Sequence, residues 1–351
     1  MHSLSRNSLG AEGAAALAPA LAANGSLTEL SINGNVVGDE GVRAICEAIQ
    51  SNKETKLASL NFGYNGIGPV GANALAAMVA VTGSLTKLSL AKNKLKEEGT
   101  KAICEALEQN KTLKELDISG GFRRASNIGG NIGGPAGVKH VAKMLGVNGG
   151  LTALDLSSNN LDDVDDENVS AVCEAIQSNK ETKLASLNFK NNNIGPVGAN
   201  ALAAMVAVTG SLTKMSLAEN KLEEEGTKAI CEALEQNKTL KELDISGGYP
   251  SGSNIGGLAG AKHVAKMLGV NSSLTSLDLS NNALCGMTIH GGTYTAEGIT
   301  AIADALRVNG SLTSLSTSVT TSCAVSMNMG PELTLQMASQ LLPTLCASMA
   351  G

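Results

Sequence analysis

Short segments in which apolar residues alternate with polar ones recur along the chain. Leu27-x-x-Leu30-x-Ile32 returns as Leu57-x-x-Leu60-x-Phe62, and further copies follow at intervals of about 28 to 30 residues for most of the sequence. Such alternation predicts a short β-strand with one buried face. The later copies begin at Leu85, Leu113, Leu151, Leu184, Leu212, Leu240, Leu274 and Leu312.

An asparagine turn and a helical segment complete each unit. Asn35, Asn65 and Asn93 close the first strand segments, and an asparagine side chain can bond to the backbone of a turn. In the copies beginning at Leu113 and Leu240 this turn is interrupted. The segment that follows, such as 99–107, predicts a helix that buries Ala102, Ile103, Ala106 and Leu107.

One unit buries too little surface to be stable alone, so the units must stack. Parallel strands lie about 4.8 Å apart, whereas packed helices need about 8–10 Å. The stack therefore curves, which predicts an α/β horseshoe solenoid with parallel strands on the concave face and helices on the convex face.

This Leu-x-x-Leu-x-Leu-x-x-Asn-x-Leu unit resembles the ribonuclease-inhibitor type of leucine-rich repeat. Similar repeats occur in the recognition regions of Nod-like receptors and in Ran GTPase-activating proteins. The resemblance extends over residues 4–316. It implies an intracellular protein that binds other proteins through its concave face or its rims, although one fold serves many functions.

The repeats predict one domain, a leucine-rich-repeat solenoid of about ten repeats over residues 1–351, with incomplete first and last repeats. The chain begins inside a repeat. Either the first strand is exposed, or the chain is a piece of a longer protein. Residues 317–351 are interpreted as a degenerate C-terminal repeat or cap, in which 331–342 predicts an amphipathic closing helix.

A larger duplication lies above the small repeat, since the block 46–161 is repeated as 173–284. Within 46–119 and 173–246 the two copies differ only at Gly63/Lys190, Tyr64/Asn191, Gly66/Asn193, Leu88/Met215, Lys92/Glu219 and Lys96/Glu223. Leu88/Met215 is a core position that conserves volume. The others fall at or just beyond the C-terminal end of a strand.

That strand-end rim is the first candidate partner-binding surface. It also carries the insertions 120–135, 247–257 and 285–297. Its candidate contact residues are Tyr64, Phe122, Arg123, Arg124, Tyr249 and Tyr294. Loops on a rigid scaffold often carry function and tyrosine is favoured at binding hot spots, but loops also tolerate sequence drift.

The concave face is the second candidate surface. Its acidic residues are Glu115, Asp117, Asp155, Glu242, Asp244 and Asp278. The pairs Asp117/Asp155 and Asp244/Asp278 should lie on neighbouring strands about 4.8 Å apart. Such a pair attracts a basic side chain of a partner or shares a proton. The alternative is that Leu-Asp-Leu-Ser is ordinary for this repeat type and that water screens the charges.

Composition excludes several classes of partner. The net charge of −6 and the six aromatic residues, with no Trp, argue against nucleic acid binding. No apolar stretch approaches the roughly 20 residues that span a bilayer, so no membrane association is expected. The stretch 14–23 imitates a signal peptide, but residues 9–14 have the layout of the internal segment 67–72.

The cysteines indicate a reducing, cytoplasmic location. Cys46, Cys104, Cys173 and Cys231 occupy one slot in their helices, too far apart for disulfides. We interpret these four cysteines as buried thiols. No pair of cysteines in the sequence has the spacing of a zinc site. Redox sensing by the loop cysteines Cys285 and Cys323 is an alternative.

We therefore expect a protein-binding scaffold or recognition module that is not an enzyme and uses no cofactor or metal. No cysteine or serine has a motif-level histidine partner, and the glycine-rich segment 127–134 lacks the Gly-Lys-Ser/Thr of a phosphate loop. Two alternatives stay open: a GTPase activator of the Ran-directed type, and a structural spacer in a larger assembly.

The repeat runs unbroken through the middle of the chain, from Leu151 to Asn192, which predicts a single solenoid without a hinge. Small-angle scattering of the full chain should give the profile of one continuous curved particle. A profile that requires two separated lobes would contradict this prediction.

Overall fold

A computed structural model describes residues 2–121, 130–161, 167–248, 252–288 and 291–317. The strands are β1 (His2–Ser3), β2 (Glu29–Ser31), β3 (Ser59–Asn61), β4 (Lys87–Ser89), β5 (Glu115–Asp117), β6 (Ala153–Asp155), β7 (Ser186–Asn188), β8 (Lys214–Ser216), β9 (Glu242–Asp244), β10 (Ser276–Asp278), β11 (Met287–Thr288), β12 (Gly291–Gly292) and β13 (Ser314–Ser316). The helices are α1 (Gly10–Ala23), α2 (Gly38–Ser51), α3 (Pro69–Val81), α4 (Lys96–Gln109), α5 (Gly134–Leu145), α6 (Glu167–Ser178), α7 (Pro196–Val208), α8 (Glu223–Gln236), α9 (Gly257–Leu268) and α10 (Glu297–Leu306).

The residues group into two compact units. The first comprises Met1–Asp163 and Ser170–Asn192, and the second comprises Val164–Val169 and Asn193–Gly351. In each unit short strands alternate with helices, which is the α/β leucine-rich-repeat fold expected from the sequence. The organisation of the whole chain as one solenoid stays a prediction.

In the first unit, strands β1 to β7 pair in chain order, and every pair is parallel. The central leucine of one strand is the register partner of the next, as in Leu88 with Leu116 and Leu116 with Leu154. These leucines are buried and the residues on either side of them are at least partly exposed for most of the strands. The predicted strand phase is confirmed, because one apolar side chain faces the core and its two polar neighbours face outward.

In the second unit, β8, β9, β10 and β13 are also parallel neighbours. Met215, Leu243, Leu277 and Leu315 align across them, so methionine fills the slot that leucine occupies elsewhere. Between β10 and β13 the chain forms the antiparallel pair β11–β12. The insertion predicted at 285–297 therefore contains a small hairpin of its own.

Close packing of the helices depends on a glycine near the first turn, which every described helix except α6 carries. A Cβ at Gly99 of α4 would lie 2.8 Å from the Cβ of Ala72 on α3, closer than two carbons can approach. The buried face of α4 is Gly99, Thr100, Ile103, Cys104 and Leu107. The predicted face is thus corrected in part: Ala102 and Ala106 are only half-buried, since the glycine side of the helix turns inward.

A buried asparagine lies in the turn after each of the strands β2 to β10 and joins consecutive repeats. The Nδ2 of Asn65 donates to the carbonyl oxygens of Ile32 and Phe62 at 3.0 and 2.9 Å, and its Oδ1 accepts the N–H groups of Asn35 and Val37 at 2.9 and 3.4 Å. One side chain therefore satisfies backbone groups of two repeats. We call these residues the turn ladder. Its members in the first unit are Asn35, Asn65, Asn93, Asn131, Asn159 and Asn192. Its members in the second unit are Asn220, Asn254 and Asn282.

Asn131 and Asn254 supply the ladder positions that the sequence pattern left open. The Nδ2 of Asn131 donates to the carbonyl oxygens of Leu90, Ile118 and Ser119 at 2.9 to 3.3 Å. Asn254 makes the same three contacts with Leu217, Ile245 and Ser246. The two turns are therefore complete, and the insertions end before these asparagines and not at 135 and 257 as predicted.

A second set of asparagines joins the repeats where the helices end. The Nδ2 of Asn148 donates to the carbonyl oxygen of Leu107 at 2.6 Å, while its Oδ1 accepts the N–H groups of Gly150 and Leu151 at 2.8 and 2.9 Å. This helix ladder comprises Asn52, Asn110, Asn148 and Asn179 in the first unit and Asn237, Asn271 and Asn309 in the second. Both ends of the strands are thus tied to the preceding repeat by side-chain amides.

We predict that Asn159→Ala lowers the free energy of unfolding by about 2–4 kcal/mol, because buried groups left unpaired cost about 1–3 kcal/mol each. The lost partners are the carbonyl oxygens of Ile118 and Leu156 and the N–H of Ile132. Urea denaturation measures the change. Asn73→Ala, on the exposed face of α3, is the control and should change stability by less than about 0.5 kcal/mol. Equal effects of the two substitutions would show that the turn ladder adds little.

Candidate functional site

The outward side chains of the strands form one candidate surface, here named the strand face. In the first unit it contains Glu115, Asp117 and Asp155, and in the second Glu242, Asp244 and Asp278. Asp117 is the register partner of Asp155, and Asp244 is the register partner of Asp278. The structure thus brings together the two acidic pairs that the strand alternation predicted.

The carboxylates of the first pair are directed away from each other. Asp117 Oδ2 accepts the hydroxyl of Ser89 at 2.8 Å on the preceding strand, while Asp155 Oδ2 accepts Nδ2 of Asn188 at 2.9 Å on the following strand. Each Oδ1 accepts the backbone N–H two residues further on, from Ser119 and Ser157. The two carboxylates thus have separate hydrogen-bond partners on opposite neighbouring strands.

The second pair has closely similar surroundings. Asp244 Oδ2 accepts the hydroxyl of Ser216 at 2.9 Å, and its Oδ1 accepts both the N–H and the hydroxyl of Ser246. Asp278 Oδ1 accepts the N–H of Ser280 at 2.8 Å. All four aspartates therefore also hold the turn that follows their strand. They have a structural task in addition to any role in binding.

The two glutamates of the strand face are in ion pairs across neighbouring strands. Lys87 Nζ lies 2.7 Å from Glu115 Oε2, and Lys214 Nζ lies 2.8 Å from Glu242 Oε2. About half of each of these side chains is exposed. Ion pairs of this kind contribute little to stability, so both charges remain accessible to a partner.

The residues on either side of the turn-ladder asparagines form the second candidate surface, here named the turn rim. Tyr64 is 64% exposed, and Tyr294 is half-buried beyond the β11–β12 hairpin. The structure does not bring these two tyrosines into one unit. Phe122, Arg123, Arg124 and Tyr249 lie outside the described residues, so their role on the turn rim stays a prediction.

Backbone conformation at the turn rim was not evident from the sequence pattern. Val36, Tyr64, Lys92 and Lys96 all have φ between +54° and +56°. L-amino acids other than asparagine, aspartate and glycine rarely adopt this left-handed conformation. The only signal in the sequence is that asparagine or glycine often stands at the equivalent position of other repeats.

The histidines and the metal-binding residue types were candidates for site chemistry. No group of three or more His, Cys, Asp or Glu side chains there has a geometry able to hold a metal ion. His140 and His263 lie half-buried on α5 and α9, with Nε2 3.7 Å from Glu97 Oε1 and 3.6 Å from Glu224 Oε1 respectively. Among the described helices, none is both long and apolar enough to cross a bilayer.

The four equivalent helix cysteines are buried, with at most 2% of each exposed. Burial raises the pKa of Cys231 to about 12, with smaller contributions from Glu235 and Glu232. Burial likewise raises the pKa of Cys46, Cys104 and Cys173. Cys285 is buried as well. A redox-sensing thiol must be exposed to its oxidant, so burial argues against this role for Cys285. Cys323 lies outside the described residues.

Comparison with known proteins agrees with this geometry. A family model described as "Leucine Rich repeat" matches residues 23–46, 53–76, 151–165, 180–203 and 270–284. The chain is 30% identical over 211 residues to NACHT, LRR and PYD domains-containing protein 13 from Homo sapiens, a match that covers 60% of the chain and 18% of that protein. It is 28% identical over 228 residues to ribonuclease inhibitor from Mus musculus, covering 63% of the chain and 44% of that protein.

A solved structure supports the same fold. The leucine-rich repeat-containing protein LegL7 from Legionella pneumophila matches with a TM-score of 0.53 and 15% identity, covering 93% of this chain and 95% of that chain. The chain therefore contains leucine-rich repeats. They are similar to the repeats of ribonuclease inhibitor and of the NACHT, LRR and PYD domains-containing proteins. Its matches span less than half the length of the two curated relatives described above.

We predict that Cys46, Cys104, Cys173 and Cys231 resist thiol reagents at pH 8 in the native protein and react once it is unfolded. The thiolate is the reactive form, and both burial and the raised pKa keep these thiols protonated and inaccessible. Timed alkylation followed by peptide mass spectrometry measures each site. Rapid labelling of Cys104 in the native state would contradict the structure of α4.

Proposed function

We propose that this chain is a recognition module that binds another protein and has no catalytic activity of its own. The observation that carries the proposal is the duplication. The two copies keep the turn ladder, the helix ladder and the central apolar side chains, while five of their six differences lie at the turn rim. A constant interior with a diverging edge is what a binding scaffold requires.

The relatives support a binding role. The name of ribonuclease inhibitor describes a protein that acts on another protein, and its repeats are similar to those of this chain. The strand face offers hydroxyl, amide and carboxylate groups on a rigid, hydrogen-bonded support. Such surfaces suit recognition because little side-chain or backbone freedom is lost on binding.

We assign the main contacts to the turn rim and a steering role to the strand face. The proposed turn-rim contacts are Tyr64, Phe122, Arg123, Arg124, Tyr249 and Tyr294. Aromatic and arginine side chains dominate binding energy at protein interfaces. The strand-face carboxylates Asp117, Asp155, Asp244 and Asp278 would attract a basic region of the partner and raise the association rate.

A cytoplasmic location is part of the proposal. Cys46, Cys104, Cys173, Cys231 and Cys285 are free thiols in the structure. Unpaired cysteines are typical of a reducing compartment.

The test begins with chemical cross-linking and mass spectrometry on the native protein to identify the partner. Phe122→Ala combined with Tyr249→Ala should then weaken binding by about 1–2 kcal/mol or more, mainly through faster dissociation. Asp155→Asn combined with Asp278→Asn should mostly slow association and reduce its dependence on salt. Surface plasmon resonance measures both rates, and Lys101→Ala on α4 serves as a control on the helix side.

Two outcomes contradict different parts of the proposal. If the aspartate variants abolish binding and the aromatic variants leave it unchanged, the strand face is the main contact surface. If the captured partner is a GTPase and the native protein accelerates its GTP hydrolysis, the proposal of a non-catalytic module is wrong.

A further inference from the structure

The duplicated copies present the same backbone with different side chains at the turn rim. Tyr64 and Asn191 have φ of 56° and 54°, Lys92 and Glu219 both have 55°, and Lys96 and Glu223 have 56° and 57°. The three exchanges therefore leave the left-handed turn unchanged. They replace one tyrosine and two cations by one amide and two carboxylates.

The first unit holds exposed apolar side chains in a conformation that disfavours them. Tyr64 is 64% exposed and Val36 is 72% exposed, and both adopt left-handed φ values of 56° and 54°. A Cβ-branched residue such as valine is a clear outlier there, whereas asparagine, found at 191, is well tolerated. Such a side chain lowers the stability of the fold and buries no apolar surface in return. Its presence indicates a role other than folding, such as binding.

Hydrogen bonds between turns place these side chains in register. The N–H of Arg6 donates to the carbonyl oxygen of Asn33, that of Gly34 to Gly63, that of Tyr64 to Ala91 and that of Lys92 to Ser119, all at 2.7 to 2.9 Å. Arg6, Gly34, Tyr64 and Lys92 therefore occupy equivalent positions in successive repeats. The Cγ of Arg6 lies 3.1 Å from the point where a Cβ of Gly34 would stand, so the arginine side chain covers the glycine.

Cations lie on the same edge as Tyr64. Arg6, Lys92, Lys94 and Lys96 are exposed, and none of these four is in an ion pair within the described residues. Glu97 and Glu98 follow Lys96 at the start of α4, but Glu97 is directed to His140. The matching edge of the second unit carries Glu219, Lys221, Glu223, Glu224 and Glu225 and is acidic.

We propose that the basic edge formed by Arg6, Val36, Tyr64, Lys92, Lys94 and Lys96 binds an acidic segment of a protein partner, and that the matching edge of the second unit does not. The cations attract carboxylates, while Tyr64 and Val36 contact an apolar side chain within the same segment. This rests on the proposed function and names the chemistry of the partner. A protein segment is favoured over nucleic acid because the chain as a whole has a net charge of −6, which repels a polyanionic backbone.

The test uses a fluorescein-labelled peptide in which glutamates flank a pair of leucines, and it follows binding by fluorescence anisotropy. Lys92→Glu combined with Lys96→Glu should weaken binding by about tenfold or more, since two attractions become repulsions. Tyr64→Asn should also weaken binding, yet it should leave the thermal midpoint unchanged or raised because asparagine relieves the left-handed strain. A purely structural tyrosine would lower that midpoint.

The second unit supplies a matched control, because every substitution copies a residue that the same turn already accepts. Glu219→Lys with Glu223→Lys, made on the Lys92→Glu, Lys96→Glu background, brings the two lysines to the second unit without a tyrosine and should leave peptide binding weak. The proposal would be overturned if all variants bound the peptide equally. It would also be overturned if binding were restored in a variant that carries the lysines but no tyrosine at the copied edge. Stronger binding of a single-stranded oligonucleotide than of the acidic peptide would also overturn it.

The outcome is separable from that of the proposed function. If the cross-linked partner still binds the Lys92→Glu, Lys96→Glu variant with unchanged affinity, the basic edge is not the binding site. The proposal that the chain binds a protein is then unaffected. If no protein partner is captured from the native source, the proposed function fails, whatever the peptide shows.

Discussion

Every other feature of each unit depends on the buried amide of the turn ladder. A strand of three residues has too few backbone bonds to fix its neighbours, and a buried unpaired N–H or carbonyl group is costly. One asparagine such as Asn65 pairs four such groups from two repeats. The helix ladder performs the same task where the helices end. Together they allow short strands and glycine-spaced helices to stack without a large aromatic core.

Because the two asparagine ladders hold the repeats together, the residues outside them can diverge and the chain can accept insertions. An insertion after β5 or β9 leaves the stack intact because Asn131 or Asn254 returns to the ladder. The residues beside the ladder asparagines are half-buried or exposed and vary, although their left-handed backbone restricts which side chains fit without strain. Tyr64 and Val36 are costly choices at such positions. Their cost is the clearest physical indication that the turn rim of the first unit has been shaped by something other than folding.

The two candidate surfaces differ in how free their residues are to act. On the strand face, the aspartates already accept hydrogen bonds from serine and asparagine, so the positions of their carboxylates are fixed. On the basic edge of the first unit, Arg6, Lys92, Lys94 and Lys96 have no ion-pair partner among the described residues. In the first unit, an acidic strand face and a basic edge therefore present opposite charges to a partner. Such an arrangement orients a partner during encounter more than it adds affinity.

The amino-acid sequence by itself determined the repeat, the strand phase, the identity of the buried leucines and the acidic pairs of the strand face. These follow from periodicities of two and 3.6 residues, which are local properties of strands and helices. The tertiary structure decided which asparagine completes a turn after an insertion, because Asn131 is separated from Leu90 by 41 residues and only stacking brings them together. It also decided that Asp117 and Asp155 turn to different neighbours, that Ala102 is less buried than Gly99, and that Tyr64 is held in a left-handed turn. Each of these depends on contacts between repeats, which no single repeat encodes.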